Sequence, residues 1–208
     1  MASGSEKLQS PAGTRERLLA AAERLLLTER YDEVSVRGIC AAAGANPAAV
    51  HYHFGSKEAL VAALLEDRLG ELWDARLTAL AARGASVPDV LAARGASVPE
   101  VVDAVIEPFV ELAADPVGRL HLRLLAQFVL GRPPLVWTRP WFRIDTWDGL
   151  LPGPDAEEGR RRLLLAFNLI IMRFGAVEAR GSELSANSVA TLRDFVIAGL
   201  IGSTGEDR

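Results

Sequence analysis

The side chains best suited to chemistry cluster between positions 37 and 57: Arg37, Asn46, His51, Tyr52, His53 and Lys57. A guanidinium, an ammonium, two imidazoles, a phenol and an amide are groups that hydrogen-bond phosphate oxygens and base edges. His51 and His53 are two residues apart on a short helix and do not share a face, so the pair is not expected to hold a metal. Phosphate or base contact is expected from at least one of them, with helix packing as the alternative. Tyr52 and Lys57 are read as phosphate-backbone contacts. Lys57 falls in the first turn of a helix whose N-terminal N–H groups already favour phosphate, against the alternative of a solvated charge. Arg37 is a candidate for phosphate or base contact. Asn46, Pro47, Ala48 and Ala49 open the same segment; Pro and Ala can meet thymine methyls but cannot make bidentate bonds, so direct readout there is thin.

Positioning these groups requires a particular local fold. The run SVRGICAAAGANPAAVHYHFGSKE, residues 35–58, reads as two short helices broken by a tight turn and followed by a third. Val36, Ile39, Cys40, Ala42 and Ala43 make a compact first helix, and Gly44 can adopt the left-handed backbone that ends it. Asn46 is predicted to cap the second helix with Pro47 at its first position, where a missing N–H costs nothing. Gly55 stops that helix near Phe54, and Ser56 caps the next. Helix, glycine-bearing turn, short helix is the helix-turn-helix pattern, whose second helix enters the major groove. Upstream, Leu18, Leu19, Ala22, Leu25 and Leu26 recur at helical spacing, so a helix over 14–29 buries one stripe against this motif.

The segment ANPAAVHYHFGSKEAL, preceded by the amphipathic stretch from Thr14 to Glu29, resembles the N-terminal domain of the tetracycline-repressor (TetR-type) transcriptional regulators. The likeness covers roughly residues 12–72, and the HYHFGSKEAL run carries most of its specificity. It implies a regulator that binds a palindromic double-stranded DNA operator as a homodimer and responds to a small molecule. Many members carry Thr-Leu-Tyr where this chain has Ala49-Val50-His51, so the phosphate contact made by that tyrosine passes here to His51 or to Tyr52.

Bulk properties set outer bounds. At 208 residues the chain can bury a sizeable core, and a composition half hydrophobic but only 6% aromatic favours helices over strands. The net charge is −4, and residues 1–60 hold seven basic and seven acidic side chains. Affinity for DNA should therefore rest on a few local phosphate contacts, with a weaker salt dependence than a basic-arm protein shows. The single cysteine, Cys40, cannot form an intrachain disulfide and reads as a small buried hydrophobe. No secretion signal precedes the first helix and no apolar run reaches the ~20 residues of a membrane span, so a cytoplasmic protein without membrane contact is expected. There is no nucleophile elbow, HExxH, Gly-rich phosphate loop or carboxylate pair tied to a histidine, so neither an enzyme nor a bound cofactor is expected.

The expected fold is all-α: a disordered tail (1–13), a three-helix DNA-binding head (14–60), a helical effector-binding and dimerisation body (61–202) and a short C-terminal tail (203–208). A long helix from Ser56 to about Leu80 leads into a tandem repeat, LAARGASVPDV followed by LAARGASVPEV. That repeat is either an adjustable joint or a neutral duplication in a surface connection. Ser97 and Glu100 form an S-x-x-E capping box that should start the next helix. Helices over 98–114 and 117–130 follow, then a proline-rich stretch with Trp137, Trp141 and Trp147, then helices over 155–179 and 185–202.

Phe109, His121, Phe128, Trp137, Trp141, Phe142 and Phe167 could line an apolar effector cavity, although ordinary packing explains any one of them as well. Arg123 and Arg143 could anchor an acidic group or be solvated. The LLLAFNLIIM segment is apolar around nearly its whole circumference and must be covered on two sides. Leu164, Ile171, Phe174, Leu192, Phe195 and Val196 are accordingly predicted to form an isologous four-helix dimer interface. The residues leave open a helical dimeric effector-binding or scaffolding protein without operator affinity.

Overall fold

The computed structural model describes residues 11–81, 97–131, 136–144, 156–176 and 184–201. The described residues are helical, with no strand among them: α1 (Pro11–Thr28), α2 (Val36–Ala42), α3 (Ala49–Phe54), α4 (Lys57–Ala81), α5 (Val98–Ala113), α6 (Pro116–Leu130), a 3-10 turn (Pro140–Phe142), α7 (Ala156–Gly175) and α8 (Ala186–Ile201). No helix among them is long and apolar enough to cross a membrane. The chain divides into two compact units, residues 1–64 and 65–208. Most of the repeat, residues 82–96, and Trp147 lie outside the described residues.

In the first unit α1 packs on α2 and α3, and α2 on α3. The stripe predicted for α1 is buried at Leu18, Leu19, Ala22 and Leu26, and it meets Ile39, Cys40 and Val50 in one apolar core. Burying a Leu or Ile side chain contributes roughly 1.5–3 kcal/mol, so this small unit depends on few residues. The ends of its helices are set locally. The Ser35 hydroxyl accepts from the Gly38 N–H at 3.0 Å, capping α2, and Ser56 accepts from the Ala59 N–H at 3.0 Å, capping α4. Gly44 and Gly55 take φ of 59° and 83°, backbone that a Cβ opposes, and they bracket α3.

One boundary differs from the sequence reading. The α-helix begins at Ala49, not Pro47. The Asn46 carboxamide oxygen accepts from the Ala48 N–H at 2.9 Å and the Asn46 carbonyl from the Ala49 N–H at 2.8 Å, so residues 46–49 close a turn before helical bonding starts.

In the second unit α5 packs on α6, α7 and α8, α6 on α7, and α7 on α8. The capping box forms as predicted, with the Ser97 N–H donating to the Glu100 carboxylate at 2.7 Å. Asp115 caps α6 by accepting from the N–H groups of Val117 and Gly118. Trp73 on α4 meets Phe109 on α5 edge-to-face at 5.3 Å and donates its indole N–H to the Val105 carbonyl at 3.3 Å. Phe174 on α7 lies 5.2 Å from Phe109 and is essentially inaccessible to solvent.

Candidate nucleic-acid interface and effector cavity

On the first unit, the turn from Asn46 to Ala48 and the outer side of α3 form one exposed surface. Asn46, Pro47, Ala48, His51 and Tyr52 are all exposed, Tyr52 at 82%. A tyrosine so far out of the core has no packing role, which leaves its ring and hydroxyl for an outside partner. Tyr52 is held on one side by an edge contact with His53, ring centres 5.0 Å apart. His51 places Nδ1 at 2.9 Å from the Gly55 carbonyl. A carbonyl only accepts, so Nδ1 must carry the proton, and Nε2 remains for an external donor or, in the imidazolium, an external acceptor. Arg37 on α2 is exposed and makes no hydrogen bond or ion pair among the described residues.

Two members of the predicted set are turned inward. Ala49 is buried with Val50 against the rest of the unit, because the predicted first turn of the helix is the Asn46 turn instead. Lys57 is half-buried: its ammonium donates to the carbonyls of Tyr31 and Val34, 2.9 Å each, and stands 4.0 Å over the Tyr31 ring. Those carbonyls lie in the connection between α1 and α2, so the lysine acts as a brace as placed. Glu58 beside it accepts from the Tyr31 hydroxyl at 2.8 Å. Its own backbone N–H, then that hydroxyl, hold the carboxyl below the usual glutamate range.

Thr14 and Arg17 on α1, which sequence reasoning did not single out, line a groove with Asn46, Ala48, Tyr52 and His53. Arg17 also donates from Nε to the Ala43 carbonyl at 3.2 Å, and Arg24 from Nη2 to the Ala42 carbonyl at 3.4 Å. Both arginines thereby satisfy the C-terminal carbonyls of α2. Only their position between apolar residues on one helix could have hinted at this.

The second unit contains an apolar cavity of about 140 Å³. Phe109, Trp137, Phe142 and Phe167 of the predicted set line it, joined by Trp73, Arg143 and Asn168 among others. His121 and Phe128 are buried in α6 but are not on its wall, and the Trp141 side chain lies outside the described residues. The Trp137 and Phe142 rings stack at 5.0 Å with 29° between planes, and Phe142 meets Trp73 edge-on at 6.1 Å.

The segment bearing Trp137 and Phe142 is fastened to α4. Glu66, buried, accepts from the Thr138 N–H and hydroxyl and from the Arg139 N–H, the last at 2.8 Å. Arg139 in turn donates to Asp74 at 2.9 Å. Its guanidinium occupies space that a side chain at Gly70 would fill, since a Cβ there would stand 2.6 Å from Arg139 Cδ. One carboxylate thus satisfies three donors and fixes one wall of the cavity. Among the described residues no group of three or more His, Cys, Asp or Glu side chains could hold a metal.

Of the six residues predicted at a dimer interface, Ile171, Phe174, Leu192 and Val196 are buried within the chain, where α7 and α8 pack on their neighbours. Their apolar stripe is covered by the chain's own helices. Leu164 and Phe195 remain exposed, and Leu165 (69%) and Met172 (54%), which were not singled out, are exposed on α7 as well.

Comparison with known proteins fits this geometry. Residues 18–64 match the family model described as bacterial regulatory proteins, tetR family. Among solved structures, the chain is similar to a TetR-family regulator from Streptomyces coelicolor A3, with a TM-score of 0.60 at 20% identity, covering 95% of this chain and 100% of that one. It is similar to NalD, the secondary repressor of the MexAB-OprM multidrug efflux pump in Pseudomonas aeruginosa, with a TM-score of 0.59 at 20% identity and coverage of 95% and 100%. A SmeT–triclosan complex aligns with a TM-score of 0.58 at 19% identity, covering 92% of this chain and 93% of that one. No curated protein sequence matches the chain. Residues 18–64 thus form a domain of the kind found in the tetR family of bacterial regulatory proteins, and the chain shares its fold with such regulators.

Proposed function

We propose that this protein is a ligand-responsive transcriptional repressor that binds a palindromic operator as a homodimer and is released by a small, largely apolar effector. The observation that carries the reading is the exposed surface from Asn46 to Tyr52, on a short helix held by two left-handed glycines. Tyr52, His51 and Arg37 are its phosphate and base contacts. Asn46, Pro47 and Ala48 approach base edges, and His53 supports the Tyr52 ring. In a dimer the two copies of α3 would sit in successive major grooves, roughly 34–36 Å apart for half-sites one turn apart.

The homodimer is supported by the exposed apolar residues Leu164, Leu165 and Met172 on α7 and Phe195 on α8, two helices that pack together. Two such pairs make an isologous four-helix bundle. The aromatic cavity is the effector site, and an effector can release DNA only by binding better to the body conformation incompatible with the operator. That NalD is a repressor and that SmeT was solved with triclosan lend this reading support by analogy.

A mobility-shift assay on DNA upstream of the protein's own gene tests operator binding. The expected result is a retarded band at low salt that Tyr52→Ala with Arg37→Ala abolishes while the fold and oligomeric state remain. No retarded band from folded dimer at low salt would refute the reading. Phe195→Glu should yield a monomer in sedimentation, and an unchanged dimer would refute the assigned face.

A further inference from the structure

The outward side chains of the α3 surface form a restricted chemical set. His51 and Gly55 exchange hydrogen bonds: the Gly55 N–H donates to the His51 carbonyl at 3.0 Å, and Nδ1 of the His51 ring donates to the Gly55 carbonyl at 2.9 Å. With its proton on Nδ1, the neutral ring can only accept at Nε2. Phosphate oxygens, guanine O6 and N7 and thymine O4 only accept as well, so a bond to any of them needs a second proton on the ring. A base amino group takes the ring as the Gly55 bond already sets it. Asn46 turns its carboxamide oxygen onto the Ala48 N–H at 2.9 Å, so it does not present the paired acceptor and donor that grip adenine. Pro47 and Ala48, both exposed, offer apolar surface. The Ala48 carbonyl accepts from the Tyr52 N–H at 3.0 Å, which puts Ala48 in helical register with α3 and makes His51 its neighbour on one side.

Guanine is the base least served. No arginine or lysine stands between Arg37 and Lys57 in the sequence. Lys57 gives its ammonium to the Tyr31 and Val34 carbonyls, and Arg17, on the groove beside Asn46, donates to the Ala43 carbonyl and the Thr14 hydroxyl. Arg37 belongs to α2, the helix of such a motif that crosses the phosphate backbone.

We infer that this surface reads A·T pairs, with His51 Nε2 accepting from the N6 amino group of an adenine and Pro47 and Ala48 set against thymine methyl groups. An A·T pair carries both features on its major-groove edge. Cytosine also has an amino group, but its pair lacks the methyl and adds the two guanine acceptors, for which α3 has no cationic fork. The Tyr52 hydroxyl both donates and accepts, so it selects no base and suits the backbone.

This base preference rests on the operator-binding reading of the same surface, and the two fail separately. Full-length protein selects duplexes at low salt from a library with a randomised centre. The most strongly fixed positions of the recovered palindrome should be A·T pairs. Replacing the fixed adenines one at a time by purine, which lacks the amino group, should at one position weaken binding about fivefold, the worth of one hydrogen bond. Uracil in place of a fixed thymine should weaken it about fourfold, the worth of one methyl. His51→Phe should lose the purine effect and keep the uracil effect, a coupling between one residue and one base that a merely structural histidine does not produce. The same variant controls for the weaker pairing of purine with thymine. Should His51→Phe not fold in circular dichroism, the analogue series with the unaltered protein still decides. Fixed positions dominated by G·C pairs, purine tolerated at every adenine, or a purine effect undiminished in His51→Phe would overturn the base assignment and leave operator binding in place. Recovery of no duplex by folded protein would overturn operator binding and the base assignment with it.

Discussion

The two units of the chain hold irregular backbone with a different balance of ties. In residues 1–64 cations on carbonyls lead, Arg17 on Ala43, Arg24 on Ala42, and Lys57 on Tyr31 and Val34, beside one carboxylate, Glu33 on the Arg30 N–H. In residues 65–208 carboxylates on N–H groups lead, Glu66 on Thr138 and Arg139, Asp115 on Val117 and Gly118, Glu100 on Ser97, beside one cation, Arg119 on the Ala113 carbonyl. The difference has a physical consequence for charge. A head that spends several of its cations internally, within a net charge of zero over residues 1–60, has few left for phosphate. Its DNA affinity then depends on placement more than on bulk attraction.

Apolar packing dominates the second unit, so the largest effect is expected there. Phe174→Ala removes a fully buried ring that meets Phe109 at 5.2 Å, and it should cost about 3–5 kcal/mol in denaturant unfolding. A cost near zero would mean that the α5–α7 contact is not the centre of this core. Glu66→Ala strips the acceptor from two backbone N–H groups and a hydroxyl, a loss of about 1.5–3 kcal/mol. The emission of Trp137 should shift to the red as the segment it belongs to loosens, and unchanged emission would show that the clamp does not hold it.

In the first unit, Lys57→Met leaves two carbonyls without their donor and should cost about 1–3 kcal/mol. The comparison makes this substitution diagnostic. A brace weakens DNA binding equally at all salt concentrations, whereas loss of a phosphate contact lowers the salt slope by about one unit. The smallest effect belongs to Glu58, whose carboxyl is held below its ordinary range of about 4.3. Because the folded value is depressed, its stabilisation is present above the ordinary value and is lost as pH falls through the folded one. Tyr31→Phe, which removes the hydroxyl at 2.8 Å, should reduce that acid sensitivity in circular dichroism between about pH 5 and pH 3.

Local features were legible in the sequence, and long-range ones were not. The glycines at 44 and 55, the Ser56 cap and the Ser97–Glu100 box are short-range chemistry, and each appears where the residue types imply. The Asn46 turn was misread because Asn-Pro fits both a helix start and a preceding turn, and the backbone bonds at 48 and 49 decide between them. Lys57 looked like a free cation because its acceptors lie more than twenty residues away, at Tyr31 and Val34. Glu66 carried no signal at all, since its partners are 72 and 73 residues distant. The apolar residues of α7 run around most of its circumference, but periodicity cannot say which side the chain covers for itself. The chain takes Ile171 and Phe174 inward and leaves Leu165 and Met172 out.

The brevity of α3 bears on how such a protein changes over time. Six residues are too few to form a stable helix unaided, so its conformation is imposed by the glycines at its borders and by Ala49 and Val50 beneath it. Substitutions at Pro47, Ala48 or Tyr52 touch neither support and fall where surface changes cost little stability, whereas His51 is tied to the Gly55 carbonyl. Recognition of a new target sequence is therefore open to drift, one outward side chain at a time, in a scaffold that does not register the exchange.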